Sequence, residues 1–300
     1  MVGLACAALA ACSTADADDD GRLDVTVTTT HAADLLRTVG GAHVEVTALM
    51  GPGVDPHLYR ASQGDVRALV EADLVVYHGL FLEGRMEEVL EAGALDRVLA
   101  LTEALPQDAL LASADYADQH DPHVWFDPEL WVQVVDPVVA ELSEIAPEHA
   151  ADFAAGGREY REDVLAAHAE ASALLATVPP RSRVLVTSHD AFGYLGRAYG
   201  LEVRGVQGLS TEDEAGVADV RDLVDLLVER RVPALFTESS VSPASIEAVR
   251  EAAADRGWHV HVPEEGLYSD ALGEPGTATG TYAGMLRANA ATIATALGGS

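Results

Sequence analysis

The sequence predicts an α/β protein of two lobes, each a mostly parallel sheet flanked by helices, joined by one long rigid α-helix. Three observations carry that expectation. Apolar, β-branched strand signals alternate with helical ones in both halves at about 30 residues per unit, the pattern of a parallel sheet wound right-handed. A stretch rich in Ala, Glu and Arg separates the halves, from Pro147 to Val178. The chain of 300 residues is long for one compact domain, and its 49% hydrophobic content is enough to fill two cores.

Each element has its own signal. Leu23 to Thr30 alternates at period two and reads as a first strand, with a short helix from Ala32 to Val39 behind it. His43 to Leu49 reads as a second strand that empties into Gly51, Pro52, Gly53 and then His57. Ser62, with Asp65 three residues on, resembles a capping box, and Val66, Leu69 and Val70 form the apolar side of the helix it opens. Asp73 to Tyr77 and Arg97 to Leu101 read as the third and fourth strands, with a Glu-rich helix between them.

The long helix over Pro147 to Val178 would run about 48 Å at 1.5 Å per residue. Gly156 and Gly157 weaken it locally, by about 1 kcal/mol each relative to Ala. A helical connector is stiff, unlike flexible crossing strands. Past Pro179 and Pro180 the grammar repeats, with strands expected at Arg183 to Thr187, Leu201 to Val206, Ala234 to Thr237 and Trp258 to Val262. Helices fall at Asp213 to Arg230 and Ser245 to Asp255, the latter introduced by Ser242 and Pro243 as cap and first turn. The expected organisation is a leader and acidic tether over 1–22, a lobe over 23–146, the connecting helix over 147–178 and a second lobe over 179–300.

Acids number 49 against 18 bases, every base is Arg, and the formal charge is −31. Such a surface excludes nucleic-acid or anionic-membrane binding through a basic face. Both cysteines, Cys6 and Cys12, fall in the first dozen residues, which removes disulfides and thiolate metal sites from the body of the protein. Val2 to Ala11 is apolar and small, and the run Leu9, Ala10, Ala11, Cys12 resembles a bacterial lipoprotein signal with lipid on Cys12, without the Lys/Arg segment that precedes such cores. Ten apolar residues are too short to span a bilayer. Ser13 to Gly21 reads as a solvated acidic tether.

The chemistry-bearing residues sit where strands end. Asp55-Pro56-His57 and Asp121-Pro122-His123 lie 66 residues apart, Ser188-His189-Asp190 follows a further 66 on, and Tyr268-Ser269-Asp270 comes last. Open α/β sheets bind ligands at the carboxyl ends of their strands. Three imidazoles and a carboxylate suit a first-row metal ion, and their wide spacing means the fold must gather them, unlike a zinc finger. Taken singly each histidine is a plain loop residue; the ordered set His57, His123, His189 and Asp270 reads as a ligand group between two lobes.

These stretches resemble the metal-binding solute receptors of bacterial ABC importers, the cluster A-I or TroA/ZnuA-like family. The matches are Gly53 to His57, Ala72 to Tyr77 with Leu82 and Glu83, Asp121 to Trp125 with Asp127 and Pro128, Ser188 to Tyr194 with Tyr199 and Gly200, and Leu267 to Gly273. They cover nearly everything from 23 to 290 in the family's order. The resemblance implies a periplasmic or lipid-tethered receptor, a monomer with an ABC permease as partner. Its metal, Zn²⁺ with Mn²⁺ as alternative, would lie between His57 and His123 of the first lobe and His189 and Asp270 of the second. His78 stands where relatives usually carry Asn. Only Asp115 to Asp121 occupies the place of the His-rich loop of many zinc-specific members. His189 matches zinc-binding relatives, whereas many manganese-preferring members place Glu there.

Asp55 and Asp121 precede Pro and are expected to shape turns. Asp190 or Glu238 could orient a ligand imidazole. His31 and His78 are further cleft-facing candidates, and His120 a candidate exchange ligand at the cleft mouth. His43, His149 and His168 read as surface residues, and His259 and His261 as structural ones. A metallohydrolase would need a His-Glu-x-x-His pair, a Gly-x-Ser-x-Gly elbow or a general base beside an open coordination site, and the sequence offers none. A lipoprotein adhesin with a purely structural metal is the remaining rival.

Overall fold

The computed structural model describes residues 21–86, 89–90, 95–113, 119–212 and 215–299. Cys12 and the tether, most of Asp115 to Asp121 and part of the expected Glu-rich helix lie outside them. The first sheet is built from β1 (Leu23–Val27), β2 (Val44–Ala48), β3 (Leu74–Tyr77) and β4 (Val98–Ala100). All pairs are parallel, in the order β2-β1-β3-β4, with Val25 level with Val46 on one side and Leu74 on the other. The chain leaves β1 for one neighbour and returns to the other, so a switch point lies at the carboxyl ends of β1 and β3, the place where such sheets bind ligands. Helix α1 (Thr30–Gly40) starts on Thr29, whose hydroxyl accepts from Ala32 N, so the first strand ends at Val27 and not at Thr30. Helix α2 (Gln63–Glu71) carries the expected capping box between Ser62 and Asp65.

After the short α3 (Pro128–Trp131) and α4 (Val135–Ile145), a single turn over Pro147–His149 leads into the long α5 (Ala150–Leu175). Its 26 residues span about 39 Å. The buried positions Phe153, Gly157, Tyr160, Val164, Ala167, Ala171 and Leu175 recur every three or four residues and define one core-facing stripe. The two glycines permit close packing. A Cβ on Gly156 would lie 2.5 Å from Thr38 O and 2.7 Å from Val39 O, backbone atoms of α1.

The second half holds β5 (Val184–His189), α6 (Gly193–Tyr199), β6 (Glu202–Gln207), α7 (Val217–Arg230), α8 (Ala244–Asp255) and α9 (Tyr282–Ala296). Strands β5 and β6 pair in parallel. The strands expected at Ala234 to Thr237 and Trp258 to Val262 form no continuous ladder. Phe236 N donates to Val186 O, Leu235 N to His261 O and His261 N to Pro233 O, and isolated parallel bridges join Ala234 to His261 and Glu238 to Leu267. These segments therefore lie beside β5 in the same relative order as the first sheet. Pro233 and Pro263 bring no N–H to a ladder, and Trp258 N is spent on Ala253 O at the end of α8. Helix α8 begins with Pro243 as cap residue, and the Ser242 hydroxyl just before it accepts from Ala244 N, the first N–H of the helix.

One apolar cluster runs through both halves. It takes in Val25 and Leu74 of the first sheet, Trp125, Trp131, Val138, the buried stripe of α5, Leu185 and Phe236 of the second half, and Met285 and Ile293 of α9. Satellite clusters fill the outer faces, one around Leu223, Leu227 and Val249, another around Met50, Leu69 and Met86. The long helix is thus a packed element of a shared core. Among the described residues no helix is long and apolar enough to cross a membrane.

Candidate metal centre

His57, His123, His189 and Asp270 meet in one buried group, each offering a ligand atom within 4.8 Å of the others. Their loops are held independently. His57 N donates to Asp55 Oδ1, after Gly53 turns the chain at φ 71°, where a Cβ would sit 3.3 Å from Ser239 O of the second half. His123 N donates to Asp121 Oδ1. His189 is the last residue of β5, fixed by the strand itself. The loop of Asp270 is clamped by Asn289 of α9, which exchanges hydrogen bonds with Tyr268 N and O, and by Trp125 Nε1 donating to Ser269 O.

The ligand atoms stand at the corners of a small cage. Nε2 of His123 lies 3.3 Å from Nε2 of His57 and 3.4 Å from Nε2 of His189. Asp270 Oδ1 lies 3.5 Å from His123 Nε2, and Oδ2 3.4 Å from His189 Nε2. A tetrahedral site with bonds of ~2.0–2.1 Å has edges of about 3.3–3.4 Å, the size found here. Asp270 Oδ1 is buried and makes no hydrogen bond, while Oδ2 accepts from Ser240 Oγ. An orphaned carboxylate oxygen facing three imidazole nitrogens fits a cation.

Carboxylates behind the cage set the tautomers. His123 Nδ1 is 2.7 Å from Asp121 Oδ1, and His189 Nδ1 is 2.6 Å from Glu238 Oε2. Each acid accepts the Nδ1–H, which leaves the Nε2 lone pair turned inward. Burial pushes the His57 imidazolium down to about 3, so the ring is neutral and ready to donate. Burial also acts against a charged His189, but the facing Glu238 and Asp270 outweigh it and raise its pKa well above the usual value. Burial would raise Asp270 too, yet His189 and its neighbours hold that carboxyl well below the usual range.

Sequence reasoning expected Asp55 and Asp121 as turn formers, and both are. It missed that Asp121 also holds the His123 ring, a role legible in the two-residue spacing of Asp-Pro-His. Of the two acids considered for His189, Glu238 makes the contact. His31 and His78 fall outside the cage, flanking Trp125, with His31 stacked on the indole at 4.7 Å and His78 Nε2 2.6 Å from Pro122 O. Burial pushes both imidazoles down to about 3.

His120 lines, with His57, Phe81, Pro122 and Leu209, a cavity of about 30 Å³. That is room for a water or two, whereas organic ligands occupy sites of ~300–1,000 Å³. The cleft mouth is fastened by Thr211 Oγ1 donating to Asp55 Oδ2 and by an Arg85–Glu212 ion pair, both 2.5 Å. His43 and His149, expected as unremarkable surface residues, come together with Asp152 far from the cleft.

Residues 25–296 match the family of ZnuA, the periplasmic component A of the zinc-uptake complex. The chain belongs to this family. It is 48% identical over 293 residues to the manganese-binding lipoprotein MntA of Bacillus subtilis, covering 97% of this chain and 95% of that protein. It is similar to the periplasmic zinc-binding protein TroA of Treponema pallidum, whose structure superposes with a TM-score of 0.88 at 41% identity over 92% of this chain and 99% of that one. A more distant relative, 26% identical over 96% of this chain and 94% of that protein, is the manganese ABC transporter substrate-binding lipoprotein PsaA of Streptococcus mitis. Members of the ZnuA family are the metal-binding receptor components of ABC importers, and this chain is such a receptor and not an enzyme.

Proposed function

We propose that the protein captures Zn²⁺ outside the cytoplasm, in the cage of His57, His123, His189 and Asp270, and delivers it to an ABC permease. The observation that supports this most directly is the set of 3.3–3.5 Å edges among three Nε2 atoms and one carboxylate. Imidazole-rich four-coordinate surroundings suit Zn²⁺, which also stands above Mn²⁺ in intrinsic affinity for such donors. On this reading 23–146 and 179–300 are the two lobes that close on the ion, 147–178 ties them together, and lipid on Cys12 tethers the receptor to the membrane.

A second reading, Mn²⁺, has its own support. Asp270 turns both oxygens toward the cage, so bidentate coordination would give five ligand atoms, and a 48% identical relative is named for manganese. Competition titration of apo protein with the two ions separates the readings. Zinc is expected to bind more tightly; equal or tighter Mn²⁺ binding overturns the zinc assignment and leaves the receptor standing. Alanine at His57, His123 or His189 is expected to weaken zinc by orders of magnitude with the apo fold intact. Parent-like zinc binding by any one variant removes that residue from the cage. Cys12→Ala should release the protein from the membrane fraction, and its retention there would sink the anchor.

A further inference from the structure

A group of side chains far along the surface has no part in the cleft. His43 closes the turn between α1 and β2, His149 stands immediately before α5, and Asp152 lies in the first turn of that helix. His43 Nε2 is 3.0 Å from Asp152 Oδ2, across 109 residues of chain. The His43 and His149 rings stack with centroids 3.8 Å apart and planes 16° from parallel. Phe153 meets both rings at near right angles, at 5.8 and 6.2 Å, and backs them with an apolar wall. The side chains of His43 and Asp152 are 28% and 69% exposed, so the open side of the group faces solvent. One ligand atom from each of the three residues falls within 4.8 Å of the others.

We propose that His43, His149 and Asp152 form a second metal site, exposed and fast-exchanging, for a borderline divalent ion such as Zn²⁺, Cu²⁺ or Ni²⁺. Two imidazoles and a carboxylate are the donor set those ions take, and three protein ligands leave positions for water. The stacked rings cannot both point lone pairs at one ion as they lie. Binding requires the partly exposed His149 ring to turn, and the ion takes the place of the proton now shared between His43 Nε2 and Asp152 Oδ2. A cation at the start of α5 is opposed by the helix dipole, which the Asp152 carboxylate offsets. The site is accordingly weaker than the buried cage. An ion bound there ties the α1–β2 turn to the head of the long helix.

Zn²⁺ alone, in equilibrium dialysis against the apo full-length protein, tests this. The parent should bind two ions, the second at least about 100-fold more weakly than the first. His43→Ala and His149→Ala should each keep the tight ion and weaken the second by about tenfold or more. His123→Ala should do the reverse, so failure of the cage and failure of the surface site read separately. With Cu²⁺ as probe, the paramagnetic resonance spectrum of His123→Ala should lose a nitrogen coupling when His149→Ala is added. A parent that binds no second ion, or a second ion held equally well by His43→Ala and His149→Ala, overturns the proposal.

Discussion

Glu238 never touches the cage interior, yet replacing it by Gln should cost metal affinity. Its Oε2 accepts from His189 Nδ1 at 2.6 Å and its Oε1 accepts from His189 N at 2.9 Å, both in a buried setting. A Gln side chain has one oxygen and must turn an NH₂ toward the other donor. One buried hydrogen bond is then unmade, at about 1–3 kcal/mol. The ring also loses the carboxylate that fixes its tautomer, a change that typically costs 10–100-fold in metal affinity, or ~1.4–2.7 kcal/mol. The first cost falls on the fold with or without metal; the second falls on binding, where about 30-fold is the expected loss. Competition with a chelator of known zinc affinity, at neutral pH, measures it, with chemical unfolding of the apo protein as the check on the fold. Zinc affinity within twofold of the parent would refute the claim that Glu238 sets the state of His189.

Two further outcomes concern stability. Asp34 of α1 accepts from Tyr282 N at the head of α9, and burial pushes its carboxyl up to about 6. Folded Asp34 keeps its proton through a window, about pH 4 to 6, in which the unfolded chain has lost it, so this residue makes stability fall as pH rises, by on the order of 2–3 kcal/mol. Asp34→Asn should abolish that fall, seen as a smaller difference in urea unfolding free energy between acid and neutral pH. Gly156→Ala gains about 1 kcal/mol of helix propensity but drives a Cβ into the Thr38 and Val39 carbonyls, so a net loss of about 1–2 kcal/mol is expected in denaturant titration.

Residue pattern alone conveyed much of this molecule, and the failures have physical causes. Strands with long β-branched runs, such as Leu74 to Tyr77 and Val184 to His189, announce themselves because both faces are buried. Ala234 to Thr237 is also apolar, but it is short and follows Pro233, which brings no N–H to a ladder. Gly156 and Gly157 read as weak points in a helix, because sequence does not reveal that the backbone of α1 lies against the first and valine side chains of α4 against the second. The cage residues were visible through their order and neighbours, as the family resemblance implies. Asp121 holds a ring only two residues on, so its role was open to a local reading, whereas Glu238 showed only its place at a strand end and reaches His189 across 49 residues. The pairing of His43 with His149 joins residues over a hundred positions apart, and no local pattern marks it.

The unbroken apolar core beneath both halves bears on how an ion gets out. A wide swing of two independent bodies would strip α9 from α5 and expose the interior between them. The fastenings at the cleft mouth are slight by comparison, since a half-exposed ion pair such as Arg85–Glu212 contributes at most about 1 kcal/mol. Asp55 links mouth and cage directly, for the carboxylate that holds Thr211 also holds the backbone of His57. Loosening the Thr211 loop therefore loosens a ligand without disturbing the core shared by the two halves. On the proposed function, the cage sets how tightly an ion is held, and a few polar contacts at the cleft mouth bear on how soon it can leave. A permease that competes for those contacts would unload the receptor without having to pull its halves apart.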